Sequence, residues 1–315
     1  MPAFAPTSVV TPPFRSRANP YQSTLARLSI DWARRFGLTA NPHTETRLRL
    51  ANAAELAARA APDADPVRAQ LLSDLITWLF ALDDVCDEDG LGADPCRVSP
   101  VISPLMEVLD RYGAPAGPAD GDPMPLAAAL ADLCRRLRRL GRPGVLLRFA
   151  ASLHHYLFAL LWEASNRQQG RVPAVAEYIQ MRRHTGAVLP SFALTDLAED
   201  GLPHSRHRVD SRLAELNTVA ADLVCWCNDL FSYAKEHGQD PHNLAVVIAH
   251  ETGRDPGSAL MEAAERFNDA LALFLRLQAD ILADAPPTGV VRLVAVRRHW
   301  IRGTYDWSVN SIRYH

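Results

Sequence analysis

The chain has 315 residues, 48% of them hydrophobic, and a net charge of −3 in which both signs are mixed along its length. That is enough apolar material for a substantial core in one large domain or two ordinary ones. It carries no basic field of the kind nucleic acids require, so no nucleic-acid partner is expected.

At the N-terminus no basic stretch precedes an apolar core, and no uninterrupted apolar run approaches the length of a membrane span. The cysteines (Cys86, Cys96, Cys134, Cys225 and Cys227) are odd in number, form no C-x-x-C pair and sit mostly in apolar segments. Reduced thiols in a cytoplasmic, non-exported protein with no membrane partner are therefore expected. Residues 1–20 hold prolines at positions 2, 6, 12, 13 and 20 and read as a flexible or draped arm. From about residue 21, Ala, Leu and Arg dominate, and apolar residues recur at three- and four-residue spacing. This pattern predicts an all-α protein. Gly and Pro cluster at 90–104 and 113–125, with smaller breaks at 170–173, 201–203, 238–241 and 284–289. They read as loops between long helices of a single domain, 21–315.

The apolar run "LLSDLITWLF" (71–80) leads directly into "ALDDVCDEDG" (81–90). On a helix, residues 76, 80, 83 and 87 share a face, so Ile76 and Phe80 continue into Asp83 and Asp87. Carboxylates at a helix C-terminus oppose the helix dipole, and something positive must offset them. A hard divalent cation such as Mg²⁺, which binds paired carboxylates and bridges to phosphate, fits; a solvated acidic loop is the plainer alternative. An EF-hand does not fit, because placing Gly90 at the turn puts Val85 and Cys96 at ligand positions.

Further along, "CRRLRRLGR" (134–142) alternates arginine with leucine at helical spacing and reads as an exposed helix face. The two histidines of "HSRH" (204–207) follow Gly201 and Pro203 and read as a solvated loop, not a zinc site. In "AADLVCWCNDLFSYAKEHG" (220–238), Asn228, Ser232 and Glu236 stand at i, i+4 and i+8. Such spacing keeps three oxygen-bearing side chains within about 80° of arc. Ala221, Val224 and Cys225 precede them on that face, and Leu216, Leu223 and Leu230 form a stripe opposite. A helix apolar nearly all round is buried, so its polar triad must face an interior cavity, with Gly238 available as the cap. Cys225 and Cys227 lie on different faces and read as packing residues. The two acidic helices thus share one design, an apolar lining below and metal-binding oxygens at the rim.

These motifs resemble those of the class I terpene synthases (terpene cyclases) of the bacterial single-domain type. "DDVCDE" (83–88) resembles their aspartate-rich motif, and "NDLFSYAKE" (228–236) matches N-D-x-x-S-x-x-K-E at every specified position. "EYIQMRRHTG" (177–186) is similar to the segment carrying the diphosphate-sensing arginine, here Arg182, and "WIRGTYDWSVNSIRY" (300–314) to the closing segment that ends in Arg313 and Tyr314. The resemblance runs from about Phe14 to the C-terminus. It implies a helical bundle around a central apolar active-site cavity that ionises a prenyl diphosphate.

Carried over by position, the resemblance makes Asp83 the first Mg²⁺ ligand, with Asp84 and Asp87 as further ligands or as partners of basic residues on closure. Asn228, Ser232 and Glu236 would chelate another Mg²⁺, and three ions are usual among relatives. Arg182, Lys235, Arg313 and Tyr314 would donate to the diphosphate, while residues near Thr185 and Gly186 couple diphosphate sensing to ionisation. Thr185 stands where many relatives have Asp. Metal ions and guanidinium groups stabilise the charge that develops on the leaving diphosphate, a dry pocket protects the allylic cation from stray water, and aromatic faces stabilise it without attacking it. Phe80, by helix geometry, and Trp307, by resemblance, are the expected wall; Trp78, Phe158 and Phe192 are further candidates, each more readily explained as ordinary core.

The expected reaction is cyclisation of farnesyl diphosphate to a sesquiterpene hydrocarbon or alcohol, in a monomer or homodimer. A diterpene synthase acting on geranylgeranyl diphosphate is the alternative. A prenyl diphosphate synthase would carry two Asp-rich motifs, and a silent helical protein would have little reason to hold Arg182, Lys235 and both metal motifs together.

Overall fold

Three Asp-Pro pairs set the frame of the helices. In each, proline occupies the first turn, where its missing N–H costs nothing, and the aspartate side chain accepts from an N–H that the helix leaves unpaired. Asp65 takes the amides of Val67 and Arg68 at 2.9 and 3.1 Å, Asp94 that of Cys96 at 2.8 Å, and Asp255 that of Ser258 at 3.1 Å. The structure, a computed structural model, describes residues 8–40, 42–87, 90–115, 124–201, 210–236, 238 and 240–311, apart from the side chain of Asp87. Among the described residues there are thirteen α-helices and no strand.

In chain order these are α1 (Gln22–Arg35), α2 (Pro42–Ala51), α3 (Ala53–Ala60), α4 (Pro66–Asp87), α5 (Pro95–Asp110), α6 (Pro125–Arg139) and α7 (Pro143–Gln169). They continue as α8 (Val175–Thr185), α9 (Val188–Ala198), α10 (Ser211–Glu236), α11 (Leu244–Thr252), α12 (Pro256–Ala283) and α13 (Thr288–Asn310). α4 is central, packed against α1, α3, α6 and α9. Its residues Leu72, Leu75, Trp78 and Leu82 have no exposed surface, and burying each contributes about 1.5–3 kcal/mol. Across the molecule α10 packs on α12 and α13, and α13 returns to α3, which closes the bundle around an interior cavity.

Residues 8–20 carry no regular helix and lie across α12 and α13. Val10 N–H donates to Asn268, Ser16 to Asp306, and the Arg302 guanidinium to the carbonyls of Pro12 and Phe14.

Two sequence expectations change. The Gly/Pro cluster at 90–104 is not a loop throughout: α5 begins at Pro95 and runs through Pro100 and Pro104. An interior proline costs about 3 kcal/mol, but Val98, Ile102, Leu105 and Leu109 form one buried stripe whose burial outweighs it. The basic run at 134–142 is only partly an exposed face, because Cys134 and Leu137 are buried and Arg136 reaches buried Asp74 at 2.6 Å. α7 is interrupted by Arg148, His154, His155 and Glu163; by length and mean hydropathy it could cross a membrane, but half of its most apolar stretch is buried in the bundle, which is the pattern of a core helix.

Candidate active site

α4 and α13 build one wall of the interior cavity by helical spacing alone. Ile76, Leu79, Phe80 and Asp83 follow each other up one face of α4, and Trp300, Thr304 and Trp307 do so on α13. Where the two faces meet, the rings of Phe80 and Trp307 stack, with centroids 5.9 Å apart and planes 17° from parallel. Val224 and Cys225 of α10, Tyr156 of α7 and Val188 and Ser191 of α9 complete a cavity of about 160 Å³ that is apolar over most of its wall.

A second cavity, of about 110 Å³, adjoins the first and is polar. Asp83, Arg182, Thr185 and Asn228 line both, so the apolar and polar spaces share these four residues as their boundary. One and two turns beyond Asn228, Ser232 and Glu236 project into the polar space, together with Lys235. Burial pushes the Glu236 carboxyl up to about 7, against the opposing hydrogen bond from Asn243. A positive charge beside this carboxyl would favour its ionised form.

Between α8 and α9 the chain breaks at Gly186 and Ala187, the latter with φ +50°. A Cβ on Gly186 would lie 2.6 Å from Cys225 Sγ, so only glycine lets α8 and α9 seat against α10 here. The break ends α8 with Arg182 and Thr185 at the cavity boundary. Arg182 donates from Nε to Asp229 Oδ1 at 2.9 Å and from Nη2 to Asn228 Oδ1 at 2.6 Å. Asp229, only 1% exposed, also accepts from Tyr178 OH at 2.7 Å and from the amide of Leu244 at 3.3 Å. Burial opposes charge on both members of the pair and is the largest single influence on Arg182, but the fields of Asp229, Tyr178, Cys225 and Glu163 together outweigh it and the guanidinium stays charged. Burial drives the Cys225 thiol up to about 12, an unreactive packing group whose Sγ donates to Arg182 O at 3.4 Å.

Of the residues singled out in the sequence, Phe80, Asp83, Arg182, Gly186, Asn228, Ser232, Lys235, Glu236 and Trp307 thus come together around the two cavities. Asp84 does not: it is buried against α2, 3.5 Å from Arg47, and lines neither cavity. Its neighbour Asp83 points inward because one residue turns a helix by about 100°. Asp87 ends α4, but its side chain lies outside the described residues, as do Arg313, Tyr314 and the histidines at 204 and 207. The extra aromatic candidates are not part of the wall. Trp78 is core and donates to Leu126 O at 2.9 Å, Phe192 packs on Trp300 and under Arg297, and Phe158, expected as core, is 58% exposed.

Several residues escaped the sequence reading. Trp300 was findable, since it stands two turns before Trp307 on one face. Asp229 sits inside the recognised motif but faces α8, not the cavity. No local pattern marks Arg167, Asp240 and His242, which form a clasp at the polar end: Arg167 meets Asp240 at 2.6 Å, and Asp240 meets His242 at 2.7 Å. Burial pushes Asp240 up, but the bonds from His242 and Arg167 outweigh it and hold the carboxyl below its usual range.

The donor set fits a hard divalent cation. Asp83, Asn228, Ser232 and Glu236 all line the polar cavity and all offer oxygen. Among the described residues no group of three or more His, Cys, Asp or Glu side chains is gathered as a metal cluster, so a cation at this rim would draw on an amide and a hydroxyl as well as on carboxylates.

Comparison with known proteins gives the same answer. Residues 74–272 match the model of terpene synthase family 2, C-terminal metal binding. The chain is 36% identical over 310 residues to a (+)-T-muurolol synthase ((2E,6E)-farnesyl diphosphate cyclizing) of Roseiflexus castenholzii, spanning 96% of this chain and 92% of that one. It is 33% identical over 305 residues to a 4-epi-cubebol synthase ((2E,6E)-farnesyl diphosphate cyclizing) of Streptosporangium roseum, spanning 96% and 90%. The fold is shared with the crystal structure of the linalool/nerolidol synthase of Streptomyces clavuligerus in complex with 2-fluorogeranyl diphosphate, at TM-score 0.81 and 22% identity over 93% of this chain and 100% of that one. With an all-helical bundle, an aromatic cavity and an oxygen-lined metal-binding rim, the chain belongs to the terpene synthases, as a class I enzyme of the bacterial type.

Proposed function

We propose that this protein ionises (2E,6E)-farnesyl diphosphate and cyclises the resulting cation to a sesquiterpene hydrocarbon or alcohol, releasing diphosphate. The observation that carries the proposal is the shared boundary of the two cavities. One compartment is apolar and the other polar, which separates a hydrocarbon chain from an anion with its cations, and Asp83, Arg182, Thr185 and Asn228 stand where the breaking C–O bond would lie. The choice of C15 follows the two relatives whose names specify that substrate.

In this reading Asp83 on α4 and Asn228, Ser232 and Glu236 on α10 hold Mg²⁺, up to three ions in all, with Asp87 beside them. The metal, when bound, supplies Lewis-acid stabilisation of the departing diphosphate. Arg182, Lys235, Arg313 and Tyr314 donate to that anion. Asp84 serves as the partner of basic Arg47, tying the end of α4 to α2. Gly186 lets the α8–α9 break present Arg182 and Thr185 to the reacting bond. The ring faces of Phe80 and Trp307 stabilise the cation by about 2 kcal/mol each in a desolvated site, and the surrounding Leu79, Val224 and Trp300 exclude water. The proposal extends to one catalytic domain over 21–315, an N-terminal arm over 1–20, a cytoplasmic location and a monomer or homodimer.

The test is release of inorganic pyrophosphate from farnesyl diphosphate. Release should require Mg²⁺, stop with EDTA, and be lost in Asn228→Leu. Metal-independent release, or full activity in that variant, would contradict the reading.

A further inference from the structure

Asn243 lies outside the metal-binding motif, in the turn between α10 and α11, and is fully buried with 0% exposure. Its side-chain amide uses every group it has. Oδ1 accepts from the amide of Ala245 at 3.0 Å and so caps α11. Nδ2 donates to the backbone carbonyl of Asp229 at 2.8 Å and to Glu236 Oε2 at 2.9 Å. One planar amide therefore spans three points: the start of α11, the backbone of α10 and the carboxylate at the C-terminal end of α10.

Glu236 needs such a partner. It is the last residue of α10, where a long side chain has many rotamers to choose from and the helix dipole repels its charge. Held by Asn243, one carboxylate oxygen is fixed on the far side while the rest of the group faces the polar cavity with Ser232 and Asp83. Ligands oriented in this way by outer hydrogen bonds hold metal more tightly than free ones.

We propose that Asn243 is a positioning residue for Glu236, presenting its carboxylate to the metal by tying it to the α10 backbone. The inference rests on the reading of Glu236 as a metal ligand. Its second bond, to Asp229 O, puts that carboxylate in register with the residue whose side chain holds Arg182. The metal-binding end and the diphosphate-binding arginine are thereby built on one hydrogen-bonded frame.

Serine caps a helix almost as well as asparagine but is too short to reach Glu236 as well, so Asn243→Ser keeps the α11 cap and removes both amide donors. The measurement is Mn²⁺ titration of the full-length protein with inorganic pyrophosphate, read by the loss of the free-ion electron paramagnetic resonance signal, beside a thermal melt without metal. The apparent dissociation constant is expected to rise about tenfold in Asn243→Ser, the low end for loss of an outer-shell partner, with the melting temperature little changed. Affinity within twofold of the parent would overturn the proposal and leave Asn243 as a helix cap only. Asn243→Thr, another capping residue, takes its place if the serine variant does not fold, under the same two outcomes. Glu236→Gln is titrated alongside. If it too leaves affinity unchanged, the assignment of Glu236 as a ligand fails; if it weakens binding while Asn243→Ser does not, only the positioning role fails.

Discussion

Arg182 donates from Nη2 to Asn228 Oδ1 at 2.6 Å, so the guanidinium assigned to the diphosphate holds the oxygen assigned to the metal. If Arg182 meets the diphosphate and Asn228 the metal, as proposed, substrate arrival would loosen this bond, while Asp229 keeps hold of Arg182 Nε.

Arg182→Lys keeps the charge but loses the planar fork that serves Asp229 and a second acceptor at once. A fall in kcat/KM of about 100-fold is expected, the size of one lost transition-state donor. Steady-state pyrophosphate release measures it, and a loss under threefold would show that Arg182 does not meet the diphosphate.

Trp307→Leu keeps an apolar side chain near Phe80, though a smaller one, and removes one ring face. Loss of about 2 kcal/mol of cation stabilisation corresponds to roughly 30-fold in turnover. Product analysis should also show more acyclic or early-quenched material, and Trp307→Phe should recover much of the parent profile. An unchanged product spectrum in Trp307→Leu would remove this ring from the chemistry.

Gly186→Ala drives a methyl to within 2.6 Å of Cys225 Sγ. Overpacking of this kind costs about 1–3 kcal/mol. Because the severest clash is with Cys225 Sγ, with a lesser one against the Arg182 carbonyl oxygen at 3.1 Å, the double variant with Cys225→Ala should regain about 1 kcal/mol relative to the sum of the singles. Urea unfolding of the four proteins gives the cycle, and strict additivity would mean that the glycine is needed for another reason.

His299 of α13 is half-buried near Arg17, and its buried Nδ1 has no hydrogen-bond partner. Burial, with the nearby Arg17 charge, lowers its pKa from 6.5 to about 4. A depressed pKa contributes stability that is whole above pH 6.5 and lost as the pH falls through about 4, because the unfolded chain takes the proton first. The loss is on the order of 2 kcal/mol after allowance for partial exposure. Melting temperatures from pH 7.5 to 4.5 should fall less steeply in His299→Gln than in the parent; parallel curves would place the acid sensitivity elsewhere.

The parts of the site that were legible in the sequence are those set by helical period. Asn228, Ser232 and Glu236 had to share a face, Phe80 had to lie a turn below Asp83, and all of them reach the cavities. What was not legible depends on partners distant in sequence. Asp84 differs from Asp83 only by meeting Arg47 of α2, and Asp240 is clasped by an arginine 73 residues earlier. The reading of 90–104 as a loop failed because proline frequency is a local signal, whereas the buried stripe of α5 is a tertiary one. Asn243 shows the same limit: a capping asparagine can be suspected from sequence, but its bond to Glu236 exists only once the chain turns back after α10.

The most direct measurement of the central claim is incubation of the purified protein with C10, C15 and C20 prenyl diphosphates, with Mg²⁺ and with EDTA, followed by gas chromatography and mass spectrometry of the extract. A Mg²⁺-dependent cyclic C15 hydrocarbon or alcohol from farnesyl diphosphate is expected. No terpene from any substrate by folded protein, or a longer prenyl diphosphate when isopentenyl diphosphate is added, would contradict it.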